Sequence, residues 1–474
     1  MSMRSGKKLA ALGLVCALIT PGIIGFTQEG TPSVAPNIQE TPLPPAVELP
    51  PPPGTPAQET SRPLNATEAA RIALLRQPNI LSAQASVTAA QARTQQARSS
   101  LFPLLGLSAG YTRTQNISSE GNSSFSSGGS SGGTSSLSNN DSFNATATLR
   151  QLIFDFNHTR NLVRQAQQNE RAVEAGLDKT RSDTVLQVKQ AFYTYSQNIR
   201  LVAVNEDTLR NQQLHLALAQ ARFNTGLGLP SDVVRAQTAV SSAILNLNIA
   251  RNNASVSRVS LTTLMGIDPR TPIVIDDKGE PDFPSNDVNG LVDIALRKRP
   301  EIIQAQANLR ALDASLSAAR SSNLPSIGGN FALSSRGGNF PPGNDSWAVG
   351  ATLSFNPFDS GLTAGRTREA QANLVSARAQ LAGVQLTVTQ DVSQSWINLR
   401  TAEQRVVTAD AEVANAQESL RLAEGRFQSG VGLFLDVTDA QSALVTAQTN
   451  RVNSQSAVDQ ARAALLHAQG VPLR

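Results

Sequence analysis

The stretch Arg222–Gln237, RFNTGLGLPSDVVRAQ, returns at Arg426–Gln441 as RFQSGVGLFLDVTDAQ, with nine of sixteen positions identical at an offset of 204. A Gly-x-Gly-Leu, an Asp-Val and an Ala-Gln kept in one register mark a tandem duplication. The same offset pairs Leu149 with Leu353, Phe154 with Phe358 and Gly266 with Gly470. Nearer the N-terminus the offset is 222, pairing Pro78 with Pro300, Ala83-Gln84-Ala85 with Ala305-Gln306-Ala307, and Pro103 with Pro325. The two offsets differ by 18 residues. That excess falls in the Ser-, Gly- and Asn-rich stretch Asn116–Asn140, read as a loop longer than its counterpart Ser335–Ser346.

Working outward, no proline occurs between Pro103 and Pro230 or between Pro357 and Pro472. In the second span Val388, Val392, Ser395, Leu399, Ala402, Val406, Ala409, Val413, Ala416, Leu420, Ala423 and Phe427 keep an alternating 4,3 spacing. This is a coiled-coil seam built largely of small residues. In the first span Val188, Phe192, Tyr195, Ile199, Val202 and Leu209 form a similar stripe. A helix from just after Phe156 to Phe223 would be a rod of about 100 Å at 1.5 Å per residue. One helix is expected from Asn65 to about Ser100. After Pro103, Leu105, Leu107, Ala109 and Tyr111 alternate with Leu104, Gly106, Ser108 and Gly110, a strand with one greasy and one mostly small or polar face. Phe143, Ala145, Ala147, Leu149, Leu152 and Phe154 lie in the returning strand. Each half reads as helix, strand, loop, strand, very long helix, turn, helix.

The chain divides into a signal peptide (1–26), a Pro-rich disordered arm (27–62), a first repeat (63–267), a linker (268–289) and a second repeat (290–471). Arg4, Lys7 and Lys8 precede a mostly apolar run to Phe26, as in an export signal. The single cysteine, Cys16, lies in that segment, which leaves no disulfide chemistry for the mature chain. Aromatic residues are only 4% of the sequence, and the net charge of +4 is too small and too evenly spread for a nucleic-acid surface. His158, His215 and His467 are far apart in the chain, and no phosphate-cradling Gly-rich loop with a following Lys and Ser or Thr occurs. No catalytic centre, metal site or cofactor site is expected.

Four strands cannot close a barrel, and a bilayer forbids open sheet edges. Three copies would supply twelve strands, an even number and a workable barrel size. The duplicated order, the turns Gly226-Leu227-Gly228 and Gly430-Val431-Gly432, and Asp436-Val437-x-Asp439 together resemble the outer-membrane efflux protein family, the TolC-like trimeric channels. The resemblance covers residues 62–471. It implies a membrane α+β fold: a twelve-stranded β-barrel, four strands per protomer, continued by a long α-helical coiled-coil barrel across the periplasm. The implied function is a passive export duct of a tripartite efflux or type I secretion system, gated at its periplasmic helical tip. The implied partners are two further copies of the chain, outer-membrane lipid, a periplasmic adaptor protein, and an inner-membrane pump or ABC transporter. The competing reading is an exported coiled-coil structural or adhesion protein.

Asp436 and Asp439 stand three apart at the start of the last helix, on one side of it. Six such carboxylates in a trimer would attract cations; helix capping is the competing role for Asp436, whose repeat counterpart is Asp232. The resemblance implies that Asp436 and Asp439 line the periplasmic aperture. Related channels also latch there through a tyrosine and an arginine; Phe427 and Gly432 stand at those places, so Phe427 or Phe434 is expected to contribute an apolar closure. The resemblance assigns Gly226, Leu227, Gly228, Leu229, Gly430, Val431, Gly432 and Leu433 to adaptor contact. Tyr111, Phe154, Trp347 and Phe358 are expected to mark the ends of the barrel wall.

Overall fold

The computed structural model describes residues 63–117, 137–277 and 287–470, all within one compact unit. The signal peptide, the Pro-rich arm, most of the Ser-rich loop and residues 278–286 of the linker lie outside the described residues. The first repeat comprises α1 (Ala66–Arg76), α2 (Pro78–Ser99), β1 (Leu104–Ile117), β2 (Leu137–Phe154), α3 (His158–Asn224) and α4 (Pro230–Leu264). The second comprises α5 (Val288–Lys298), α6 (Pro300–Ser321), β3 (Ser326–Gly337), β4 (Asn344–Ser354), α7 (Leu362–Gln428) and α8 (Phe434–Ala468). Corresponding helices have identical lengths: 11, 22, 67 and 35 residues in both halves. The duplication seen in the sequence is therefore complete in the fold.

Three local expectations change. The single helix expected from Asn65 to Ser100 is two helices, because Pro78 lacks an N–H and drives Gln77 to an extended φ of −70° and ψ of 121°. Pro300 breaks the second repeat in the same way at Arg299, with φ −64° and ψ 132°. The second-repeat loop expected over Ser335–Ser346 is shorter than that, since Ser335 pairs with Asp345 and Arg336 with Asn344 inside the β3–β4 ladder. The first-span stripe does not continue cleanly: Val188, Phe192 and Tyr195 are buried, but Ile199 is 39% exposed. There the helix instead presents Ser196 and Arg200 to Asp277, with Arg200 Nη2 at 2.7 Å from the carboxylate. The α7 seam holds: Val388, Val392, Leu399, Ala402, Ala409, Val413, Leu420 and Phe427 are all buried.

The four strands form an antiparallel meander in the order β1-β2-β3-β4, with β2–β3 joining the two repeats. Residues opposite one another in such ladders share a face. The registers place Leu105, Leu149, Phe331 and Val349 in one row, and Leu107, Ala147, Leu333 and Trp347 in the next row of that face. The opposite face carries the row Ser108, Thr146, Ser334 and Ser346 and the row Gly106, Thr148, Ala332 and Ala348. This apolar-out, polar-in dyad is the pattern of a transmembrane barrel wall. Tyr111 stacks on Phe143 at 4.8 Å and donates to Asp141 at 3.0 Å toward the loop end, while Phe154 meets Phe156 at 4.7 Å toward the helices. Among the described residues no helix is long and apolar enough to cross a membrane.

The long helices lie side by side as α4, α3, α8, α7, so α4 and α7 are the outer members, just as β1 and β4 are the outer strands. Both outer helices expose large apolar side chains, among them Leu245 and Val256 on α4 and Leu386 and Val407 on α7, at 59–72%. Helix α6 packs between α3 and α7, whereas its counterpart α2 packs on α3 without an equivalent second neighbour. Among the described residues, each main packing of an element of repeat one on an element of repeat two thus has an unused counterpart position on the far side of both repeats.

A polar cluster ties the halves together midway. Arg299, almost wholly buried, donates to Asp391 on α7 at 2.8 Å and to Glu301 at 3.1 Å. Lys179 on α3 lies 3.8 Å from Glu301 and also bonds Asp183, which His467 of α8 meets at 2.9 Å. Partial burial pushes the Asp183 carboxyl up, but its bonds from Lys179 and His467 outweigh that and hold it below the ordinary 3.8. A lowered native value means stability that is complete above the ordinary value and is lost as pH falls through the native one. Asp183→Asn should cost about 1 kcal/mol at neutral pH, allowing for solvent screening. Thermal unfolding followed by circular dichroism should therefore separate the variant from the wild type at neutral pH, with the gap closing on acidification below about pH 4.

Candidate functional site at the helical tips

Each long helix reverses through the same hydrogen-bonded cap. The Leu227 N–H donates to the Arg222 carbonyl at 2.9 Å and Gly226 to Phe223 at 3.0 Å; Val431 donates to Arg426 at 3.0 Å and Gly430 to Phe427 at 3.1 Å. This is a Schellman-type end, whose left-handed residue is glycine because a Cβ is costly there. Gly226 and Gly430 supply it with φ of +76° and +78°. The second glycine of each turn has a different reason. A Cβ on Gly432 would stand 2.8 Å from Arg426 Cβ and 3.0 Å from Phe427 N, and one on Gly228 2.9 Å from Phe223 N. The returning chain therefore lies directly on the helix end. The result is two blunt tips from which Leu227 (76%), Leu229 (64%), Val431 (84%) and Leu433 (67%) project into solvent.

Asp436 and Asp439 are both exposed on the first turns of α8, while Val437, Ala440 and Gln441 between and after them are buried. The Asp436 carboxylate accepts from the Leu433 N–H at 3.4 Å, a weak cap, and its remaining oxygen capacity faces solvent. Asp439 is on the same side one turn on.

Phe427 and Phe434 are not free apolar surfaces. They are 7% and 3% exposed, stack on each other at 5.5 Å, and belong to the core shared by α3, α4, α7 and α8. Within the protomer the two rings act as an internal brace, whose burial fixes the hairpin on which the aspartates stand. The sequence reading missed the group that seals this brace. Arg222, from the other tip, lies over the Phe427 ring at 4.4 Å and donates to the Phe427 carbonyl. The signal for it was the repeated Arg-Phe pair at 222–223 and 426–427. Beside the brace, α3, α7 and α8 line a cavity of about 250 Å³ through Asn211, Leu214, His215, Leu218, Glu424, Phe427, Gln428 and Val437. His215 Nε2 approaches Glu424 to 3.6 Å there. Among the described residues no group of three or more His, Cys, Asp or Glu side chains converges as a metal site.

A four-stranded wall with one lipid-compatible face, open at both edges and continued by paired rods of 67 residues, defines the protomer of an outer-membrane barrel channel with a helical extension. The chain belongs to the outer membrane efflux protein family, whose model matches residues 69–267 and 291–471. It is accordingly an outer-membrane efflux channel component and not an enzyme. It is 28% identical over 328 residues to the outer membrane efflux protein BepC of Brucella suis, covering 68% of this chain and 71% of that one. To the outer membrane protein TolC of Escherichia coli it is 24% identical over 399 residues, covering 81% and 77%. To the outer membrane protein OprJ of Pseudomonas aeruginosa it is 28% identical, and the match spans 61% of that chain. Among solved structures, the outer-membrane channel OprN superposes with a TM-score of 0.75 at 19% identity, covering 86% of this chain and 90% of that one. VceC of Vibrio cholerae superposes with a TM-score of 0.72 at 22% identity, covering 85% and 96%.

The tip geometry separates two kinds of glycine. Gly432→Ala forces the Arg426 backbone to shift and should cost at least about 1 kcal/mol, loosening the second tip. Gly425→Ala, inside α7 with no atom within 4 Å of the added carbon, should be neutral or stabilising by about 0.5 kcal/mol. Amide hydrogen exchange over residues 420–440 distinguishes them, with faster exchange in Gly432→Ala alone.

Proposed function

We propose that three copies of the chain form a passive export duct that opens and closes at the helical tips. The single observation that carries the assembly is the set of unused counterparts. If repeat two stands to repeat one as the next copy's repeat one stands to repeat two, β4 pairs with the neighbour's β1 and α7 packs on the neighbour's α4 and α2. Continuing that relation through six repeats gives twelve strands and twelve long helices with no edge left open. The apolar face of the sheet then meets lipid, the polar face lines water, and the helices reach into the periplasm. The same geometry disfavours an adhesion or structural protein, which has no use for a single-layer sheet with one continuous apolar face.

At the far end, Asp436 and Asp439 of three copies supply six carboxylates around the narrowing mouth. Concentrated charge of one sign at a constriction recruits cations and holds the mouth tight through them. The Phe427–Phe434 brace and the Arg222 clamp keep each hairpin in place, and the cavity beside His215 gives the helices room to shift. Exposed Leu227, Leu229, Val431 and Leu433, with their flanking glycines, form an apolar rim suited to the helical end of a periplasmic adaptor. The adaptor in turn joins the duct to an inner-membrane pump or ABC transporter, where energy is spent; the duct itself is passive.

In planar bilayers, detergent-purified trimer should give discrete, cation-selective openings of low conductance. Asp436→Asn with Asp439→Asn should lower the cation selectivity or enlarge the conductance severalfold. Correctly folded trimer that never conducts would sink the duct, and selectivity indifferent to the double change would remove the acidic mouth.

A further inference from the structure

The polar face of the sheet is not neutral. Along it the strands place Leu104, Gly106, Ser108, Gly110 and Thr112 on β1, Ser142 to Leu152 in alternate positions on β2, and their partners on β3 and β4. Two of these residues are charged, and both are arginines. Arg150 stands in the row Leu104, Arg150, Asn330, Gly350, and Arg336 in the row Gly110, Asn144, Arg336, Asn344. Among the described residues this face holds no carboxylate; Asp141 and Asp345 are both on the apolar face, Asp141 beside Arg113. Arg150 and Arg336 are both exposed and take part in no ion pair among the described residues. The other residues of the face are almost all Gly, Ser, Thr, Asn and Ala, which cannot neutralise a guanidinium.

We propose that the barrel lumen carries two rings of three guanidinium groups, at Arg150 and at Arg336, which favour anions and make the outer-membrane section selective for cargo bearing carboxylate, sulfonate or phosphate groups. The inference rests on the trimeric duct above. Twelve strands about 4.8 Å apart and tilted by about 40° enclose a backbone radius of about 12 Å. Arginine side chains reach inward from that wall, so a passing ion lies within about one Debye length, 8–10 Å, of each ring. The low-dielectric wall focuses the field along the axis rather than letting bulk water dissipate it. Two arginines separated by six ladder positions act at successive depths, so an anion meets a second attractive ring after leaving the first. Weak, repeated binding of this kind speeds passage instead of trapping the cargo.

The test removes the acidic mouth from both arms, using Asp436→Asn with Asp439→Asn as the background so that the barrel dominates. Reversal potentials across a potassium chloride gradient give the anion-to-cation permeability ratio. Arg150→Gln with Arg336→Gln should lower that ratio by at least about threefold, while Arg150→Lys with Arg336→Lys should retain it. A ratio unchanged by the glutamine pair overturns the inference. Inorganic tripolyphosphate provides a measurement that needs no arginine variant: added on the barrel side, it should block the background channel in a voltage-dependent manner, and absence of block overturns the inference as well. Folded protein with no conductance fails the duct itself, whereas openings indifferent to the arginines fail only the charge assignment.

Discussion

The constraint on which this architecture depends is that a β-strand edge cannot face hydrocarbon. β1 has 14 residues and β4 has 11, and about half of the backbone N–H and C=O groups of each point away from their only ladder. With several kcal/mol for each unsatisfied group, one open edge costs tens of kcal/mol in a bilayer. That exceeds the 5–15 kcal/mol stability of an ordinary domain several times over. Closure with other copies is therefore a condition of the fold in its membrane.

The helices inherit the geometry set by that closure. Strands of neighbouring repeats must keep one spacing around the ring, so the helices that follow them must pack at a matching spacing. A seam of Ala, Val and Leu serves this purpose, because small side chains let long helices lie close without large knobs that would force a wider circle. Each contact is weak, yet the seam on α7 runs from Val388 to Phe427, and the buried area accumulates along its length. Outside the bilayer an exposed helix edge costs little, since its backbone is satisfied internally. The sheet thus compels assembly, and the helices convert it into a tunnel.

Most of this was legible because duplication doubles every signal. The tips were readable from Gly226 and Gly430 because a left-handed cap leaves few choices, and the strand faces from their period of two. What was not legible depended on partners distant in the chain. Ile199 fits a helical stripe by spacing but is exposed, while its neighbour Arg200 reaches Asp277, a contact that no local pattern announces. Pro78 was visible as a residue, yet a continuous periodic run masked the break it causes. That Phe427 and Phe434 brace the hairpin from within depends on Arg222, 205 residues before Phe427, and on burial that their spacing does not reveal. The charge of the lumen was hidden because Arg150 and Arg336 are 186 residues apart and meet one face only through the β2–β3 register.

A conduit also limits what its own residues can recognise. Binding tight enough to tell similar molecules apart would hold them in the lumen, so the wall must interact weakly with everything that passes. The rows of Ser, Thr, Gly and Ala on the polar face do this: they hydrogen-bond water and offer neither a pocket nor an apolar patch. Charge is the one property such a wall can sort without trapping, because its field acts through several ångströms of water and needs no fitted contact. Finer selection must then be made where cargo is held still, at a pump upstream of the tips.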